Sequence, residues 1–474
     1  MTQPFPNHPF LKDNYAPVRS EQDAPDLVVE GEIPLELQGT LYRNGPNPLF
    51  PPRGPYHYFG GDGMIHAATF ADGKVSYRNR WVRTEKWQAD SAAGEALFGT
   101  MGNPMLTDER AKGVRHNVAN THIVQHAGRL LALEEGNPPF ELGQDLSSLG
   151  SYTYDGKLPG PMTAHPKVDP ATGDMHFFCY SLGGMGSPSM GYYVANAAGE
   201  LTTVEAFDAP YAAMVHDFVI TENYILFPIF PATIDIERAM KGGAPIAWDP
   251  SLPSYVGLLK KGESVSNIRW VSGEPSYVFH PMNAFEDGAK IVLDMHNYPA
   301  APGFPYADGS KPRREDAEAV LERWTIASAE ESDTWTAEQL DDRPTEFPRV
   351  ADSVVGRPYR HGYAATSVYG TAARTTYDSL VHYDLEKGTS KVWSLGEGDC
   401  LSEPAFVPRN SNGAEGSEGS EGNGWLVAFT YRAATNTSEV AVLDAAAIDD
   451  GPIATAYLDT RVPNGFHGTW VGHS

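Results

Sequence analysis

The chain has 474 residues, 41% hydrophobic and 20% charged, with 20 Phe, 23 Tyr and 9 Trp, enough apolar material for one large core or for two or three average domains. Its formal net charge of −26 repels nucleic-acid phosphates and anionic lipid headgroups, which excludes nucleic acid as a partner and favours a neutral or apolar one. The two cysteines, Cys179 and Cys400, are too few for a disulfide framework and form no Cys-x-x-Cys pair for zinc or redox work, so a reducing cytoplasm is the expected setting.

The chain opens with "MTQPFPNHPFLKDNYAP", which has no basic region followed by an apolar core, and nowhere do eighteen uninterrupted apolar residues occur. Neither secretion nor membrane spanning is expected. Peripheral membrane contact and oligomeric state stay open. Residues 1–25 read as an extension packing on or near a single domain that occupies 26–474.

Along that domain, short β-rich runs alternate with turn residues: "VSYRNRWVRTEKW", "THIVQHAGRLLALEE", "GYYVANAAGELTTVEAF", "DFVITENYILFPI", "SLVHYDLEKGTSKVWSL" and "GWLVAFTYRAATNTSEVAVLD". Each reads as strand, turn, strand. Apolar periodicity of 3.6 residues is scarce, "DIERAMKGG" being one short helix candidate. The fold class is therefore all-β. Many hairpins spread evenly over the length suggest a propeller, which limits exposed sheet edges by radial repetition; no clean internal repeat lets the blades be counted. Residues 410–424, "NSNGAEGSEGSEGNG", carry almost no apolar side chain and read as a flexible loop insertion, not a domain boundary.

Four histidines share a context. His165 in "TAHPKVD", His216 in "MVHDFV", His280 in "VFHPMNAF" and His467 in "GFHGTWV" all stand beside small, Pro, Gly or aromatic residues at apparent strand edges. None has the His-x-x-x-His or His-Glu-x-x-His spacing of a zinc helix, and a single histidine near a strand end is as a rule structural. On a propeller, however, strands from different blades run alongside one axis, where residues remote in sequence can meet. "YFGGDGM" lacks the Gly-x-Gly-x-x-Gly pattern and reads as a tight turn, so no flavin or nicotinamide is expected; nor is a haem.

These motifs, with "GTLYRNGPNP", "NVANTHIVQHAGRLLALEEG" and "SEPAFVPR", resemble the carotenoid cleavage oxygenases from about residue 26 to the C-terminus. That family includes apocarotenoid and lignostilbene dioxygenases and the isomerase of the retinal pigment epithelium. The resemblance implies a seven-bladed β-propeller, with loops and short helices capping the active-site face, and one iron(II) per chain held on the axis by His165, His216, His280 and His467. It also implies a surrounding set of glutamates: Glu135 behind His216, Glu346 behind His280 and Glu403 behind His467, with none behind His165. Such carboxylates fix the imidazole tautomer and offset the charge of a metal with neutral ligands. Thr121 matches a threonine that biases access to the open coordination site, and Phe59 an aromatic of the substrate tunnel.

Nitrogen ligands with an open position suit a redox-active first-row metal better than Mg²⁺ or Ca²⁺. The resemblance then implies O₂ addition across one C=C bond of a conjugated alkene, with two carbonyl products and both oxygen atoms in product. Relatives that cleave lignostilbene or isoeugenol grip the phenol with a Tyr and a Lys, whose places fall here on Met101 and Glu134. Loss of both handles favours an apocarotenoid or carotenoid, with a stilbenoid or phenylpropenoid as the alternative. A non-catalytic propeller that binds an apolar ligand is the reading from another class, and a calcium-dependent propeller hydrolase would need carboxylates and carbonyls in place of imidazoles.

Overall fold

Hairpins are the unit from which the chain is built. The computed structural model describes residues 4–100, 103–313, 315–328, 332–368, 376–409 and 421–473. Two-residue connections with positive φ at both positions, Asp72 (51°) with Gly73 (73°) and Ala127 (49°) with Gly128 (75°), join Gly63–Ala71 to Lys74–Trp81 and His122–His126 to Arg129–Leu133. Their twist matches that of the strands they join, which is why Gly is placed second in each.

Such strands form seven antiparallel sheets of four to six strands, with an additional ribbon of Ala232–Ile234 and Ile246–Trp248, among the described residues. The sheets are the blades of a seven-bladed β-propeller. In the sheet ordered Lys167–Val168, Met175–Cys179, Ser189–Ala195 and Leu201–Asp208, burial is greatest in the two middle strands. Met175–Cys179 is buried throughout, Ser189–Ala195 at all but its first residue, and Leu201–Asp208 alternates half-buried with exposed. A middle strand covered on both faces thus reads as an apolar run, the edge strand Leu201–Asp208 as an alternation.

Residues 157–392 carry four of the blades, up to the last strand of the fourth, with an apolar core that includes Phe178, Phe218, Phe227 and Leu259. Residues 1–156 and 393–474 make a second compact unit, in which the ends of the chain pair with earlier or later strands. Gly468–Gly472 adds to Gly39–Pro46, and Val28–Gly31 to Pro452–Tyr457. The strand Gln22–Ala24 pairs with Lys74–Trp81, so the first sheet already begins inside the span expected to be an extension. Asn14 in the same span is buried, and its Nδ2 donates to Asn464 Oδ1 at 2.8 Å.

Two local expectations meet a different outcome. "VSYRNRWVRTEKW" is one strand followed by a helix, Glu85–Ala93, not a hairpin. Alternation ends at Trp81, Thr84 Oγ1 caps the helix by accepting from the Trp87 N–H at 3.2 Å, and Gly94 ends it in the left-handed region. Of the span 410–424, residues 410–420 lie outside the described residues, and Gly424 is already the buried first residue of the strand Gly424–Arg432. Among the described residues no helix is long and apolar enough to cross a membrane.

Candidate metal centre

Three of the four histidines belong to the unit 157–392. His165 stands one residue, Pro166, before the short strand Lys167–Val168, and His216 is separated by Asp217 and Phe218 from Val219–Ile220, both near strand mouths as their context implies. His280 is different, because it is the fourth residue of the eleven-residue strand Tyr277–Asp287. Pro281 beside it has no N–H to give the ladder, and the pairing with Lys290–Tyr298 shifts register on both sides of Pro281.

The three rings converge through the same atom. His216 Nε2 lies 3.0 Å from His165 Nε2 and 3.0 Å from His280 Nε2. His165 and His280 are buried, at 5% and 9% exposure. Three imidazole nitrogens facing one small volume are a donor set suited to a first-row transition metal and unsuited to Mg²⁺ or Ca²⁺. The residues present therefore fit a metal.

Behind His280, its Nδ1 donates to Glu346 Oε2 at 2.5 Å, which leaves Nε2 as the free face of the ring. The same oxygen accepts the Phe347 N–H at 2.6 Å, and Oε1 accepts the Tyr298 O–H at 3.1 Å. Phe347 adopts φ 51°, an uncommon conformation for a bulky residue, and stacks on the His280 ring at 5.6 Å. Burial works to raise the Glu346 pKa, but His280 foremost, then His296 and the Phe347 N–H, outweigh it and hold it below the usual value.

Neither Tyr298 nor Phe347 was anticipated; Tyr298 lies 48 residues before Glu346, and no local signal marks it. A third group, Asp217, did have a signal, since it follows His216 directly. Its Oδ2 lies 3.9 Å from His165 Nδ1, and its Oδ1 is 2.7 Å from Lys167 Nζ. A carboxylate thus stands behind the one histidine for which no glutamate was expected.

His467 belongs to the unit made of residues 1–156 and 393–474. It stands just before Gly468–Gly472, and its Nδ1 donates to Glu403 Oε1 at 3.1 Å while the Gly468 N–H donates to Oε2 at 2.9 Å. As with Glu346, one carboxylate holds both an imidazole and a backbone amide, but here the amide follows the histidine, whereas Phe347 follows the glutamate. The His467 N–H donates to the Thr121 carbonyl at 3.0 Å, and the Thr121 hydroxyl donates to Asn120 Oδ1 at 3.1 Å. Phe59 packs on Phe466 with ring centroids 5.6 Å apart, one residue from His467.

Glu134 and Glu135 are half-buried on the turn after Arg129–Leu133. Glu134 is engaged within that turn: Oε2 accepts the Gly136 N–H at 2.9 Å and Oε1 accepts from Asn137 Nδ2. Burial, more than these donors, sets its pKa, which is raised. Met101 lies outside the described residues.

The family described as retinal pigment epithelial membrane protein matches residues 15–472. An isoeugenol monooxygenase of Pseudomonas nitroreducens is 37% identical over 476 residues, 98% of each chain. The crystal structure of Pseudomonas brassicacearum lignostilbene dioxygenase superimposes with a TM-score of 0.93 at 36% identity, covering 100% of both chains. Cobalt-substituted apocarotenoid oxygenase of Synechocystis gives 0.83 at 31% identity, covering 96% of this chain and 97% of that one.

Proposed function

We propose, from the premise that this chain belongs to the carotenoid cleavage oxygenase family, the family of the retinal pigment epithelial membrane protein, that it is a non-haem iron(II) enzyme for conjugated alkenes. It is an alkene-cleaving dioxygenase: one C=C bond and one O₂ become two carbonyl groups, with both oxygen atoms in product. His165, His216, His280 and His467 are the four ligands of one iron(II). The observation that carries the reading is the convergence of the Nε2 atoms of His165, His216 and His280 with Nδ1 of His280 held by a carboxylate. Iron(II), when bound, supplies the activation of O₂ that an alkene alone does not undergo. The protein residues position and insulate. Glu346 and Glu403 fix the tautomers of His280 and His467 so that Nε2 faces inward, and Glu135 is assigned to His216. Thr121 and Phe59 line the approach beside His467.

For the substrate, the sequence-based preference for an apocarotenoid or carotenoid rests on Met101 and Glu134 together, of which Glu134 lies among the described residues. Its carboxylate is committed to Gly136 and Asn137 and carries the wrong charge to activate a phenol. An aryl alkene is the second reading, favoured by the TM-score of 0.93 against lignostilbene dioxygenase over the whole chain. The two readings differ in whether a free phenol is needed. Oxygen uptake by anaerobically iron-loaded protein with apocarotenals and with paired 4-hydroxy and 4-methoxy stilbenes decides between them. Cleavage of apocarotenals, with no preference within the stilbene pair, is expected. Strict dependence on the 4-hydroxyl would move the assignment to stilbenoids. Label from ¹⁸O₂ in both products is expected; label in one alone would contradict dioxygenation.

A further inference from the structure

We propose that Asp217 and Lys167 form an opposed charge pair behind His165 that sets how strongly this histidine holds the metal. The inference rests on the reading of His165 as a metal ligand and goes beyond it, because the resemblance leaves His165 with no carboxylate. His165 presents Nε2 to His216, so Nδ1 is its outward face. Asp217 Oδ2 stands on that side at 3.9 Å. This is too long for a hydrogen bond, so the coupling is that of a charge across a short distance in a buried setting, where solvent screens little.

The asymmetry with the other carboxylates is the second observation. Glu346 and Glu403 hydrogen-bond their histidines directly and take a backbone N–H as a further donor. Asp217 has the backbone donor, the Phe218 N–H at 2.7 Å on Oδ1, but a lysine at 2.7 Å on the same oxygen. The Asp217 side chain is 4% exposed and that of Lys167 21%, so the anion is buried and its cation reaches it from nearer the solvent. A buried carboxylate needs such a partner. Here the partner also weakens the field that the carboxylate exerts on His165. A cation bound at Nε2 is drawn by Asp217 and opposed by Lys167, so the two side chains act on metal affinity with opposite signs. A pair that served only to stabilise the fold would have one sign, because loss of either partner breaks the same contact.

The test uses the full-length, metal-free protein and Co²⁺ as the probe, with the dissociation constant from chelator competition and the cobalt visible absorption as the readout of ligand geometry. The melting temperature of each metal-free variant serves as a folding control. Asp217→Asn should weaken Co²⁺ binding by about 10 to 100-fold, the range for outer partners of metal-bound histidines. Lys167→Met should tighten it, Lys167→Arg should match wild type, and the double variant should fall between the singles. Weakening by both Asp217→Asn and Lys167→Met, or no change in either, overturns the inference while leaving the metal site standing. If Asp217→Asn does not fold, the two lysine variants still decide: tightening in Lys167→Met with wild-type affinity in Lys167→Arg supports the charge pair, and any other result refutes it. Failure of wild type to bind Co²⁺, or binding indifferent to His165→Ala, overturns the metal reading and this inference together.

Discussion

His280 and His296 sit on neighbouring strands and take their partners from consecutive residues. His280 donates from Nδ1 to the Glu346 carboxylate at 2.5 Å, whereas His296 pairs Nδ1 with the Thr345 carbonyl at 3.0 Å. Because a carbonyl can only accept, His296 carries its proton on Nδ1. Its ring is fully buried and its Nε2 has no hydrogen-bond partner among the described residues, whereas His280 Nε2 faces His216 Nε2. Burial drives the His296 pKa down. Two histidines on neighbouring strands thus differ in the group behind the ring and in the direction in which Nε2 looks. A carboxylate behind the ring supports a ligand; a carbonyl behind it suits a neutral core residue.

The sharpest break of this comparison is substitution of the rings themselves. His280→Ala should abolish turnover and strip or greatly weaken bound iron, while His296→Ala should keep full iron content and lose about 2 kcal/mol of stability from its cavity and the unpaired Thr345 groups. Metal analysis beside thermal unfolding separates the two, and full iron in His280→Ala would end the assignment.

Next in size is the carboxylate. Glu346→Gln should cost roughly 10 to 100-fold in metal affinity or activity, measured by chelator competition and oxygen uptake, with Glu403→Gln behaving alike. Unchanged affinity in both would make the two residues structural only.

Acid sharpens the comparison from the core side. His296 and His176, the latter pushed down to about 4 by burial, resist protonation in the folded chain. The unfolded chain takes up those protons near pH 6.5. Their contribution to stability is therefore present above about pH 6.5 and is lost progressively toward pH 4. The melting temperature of the metal-free protein should fall over that window, and less so in His176→Asn.

The smallest effect belongs to residues 411–420, whose Gly, Ser and Glu composition builds no packed wall. Their deletion should leave iron content and turnover within about twofold of wild type, because a segment whose one apolar residue is Ala414 has little to give a core.

Much of this was legible in the chain alone, for an identifiable reason. Alternation and turn residues are local, so five of the six hairpin runs and the short helix at Ile236–Met240 could be read directly, and the ordered motifs carried the family and its propeller. The helix Glu85–Ala93 escaped because its cap at Thr84, not periodicity, decides where it starts. His165, His216, His280 and His467 could be singled out by motif, yet the motif does not distinguish the direction in which the His280 ring faces from that of His296. That distinction was left to tertiary structure, because strand pairing and the register shift at Pro281 determine which way each ring faces. Asp217 was in plain view beside His216, but its place behind His165, opposed by Lys167, arises only where two loops 50 residues apart are brought together. Side-chain identity is a property of the sequence; the direction of a lone pair and the sign of the charge behind it depend on which backbone segments pack against one another.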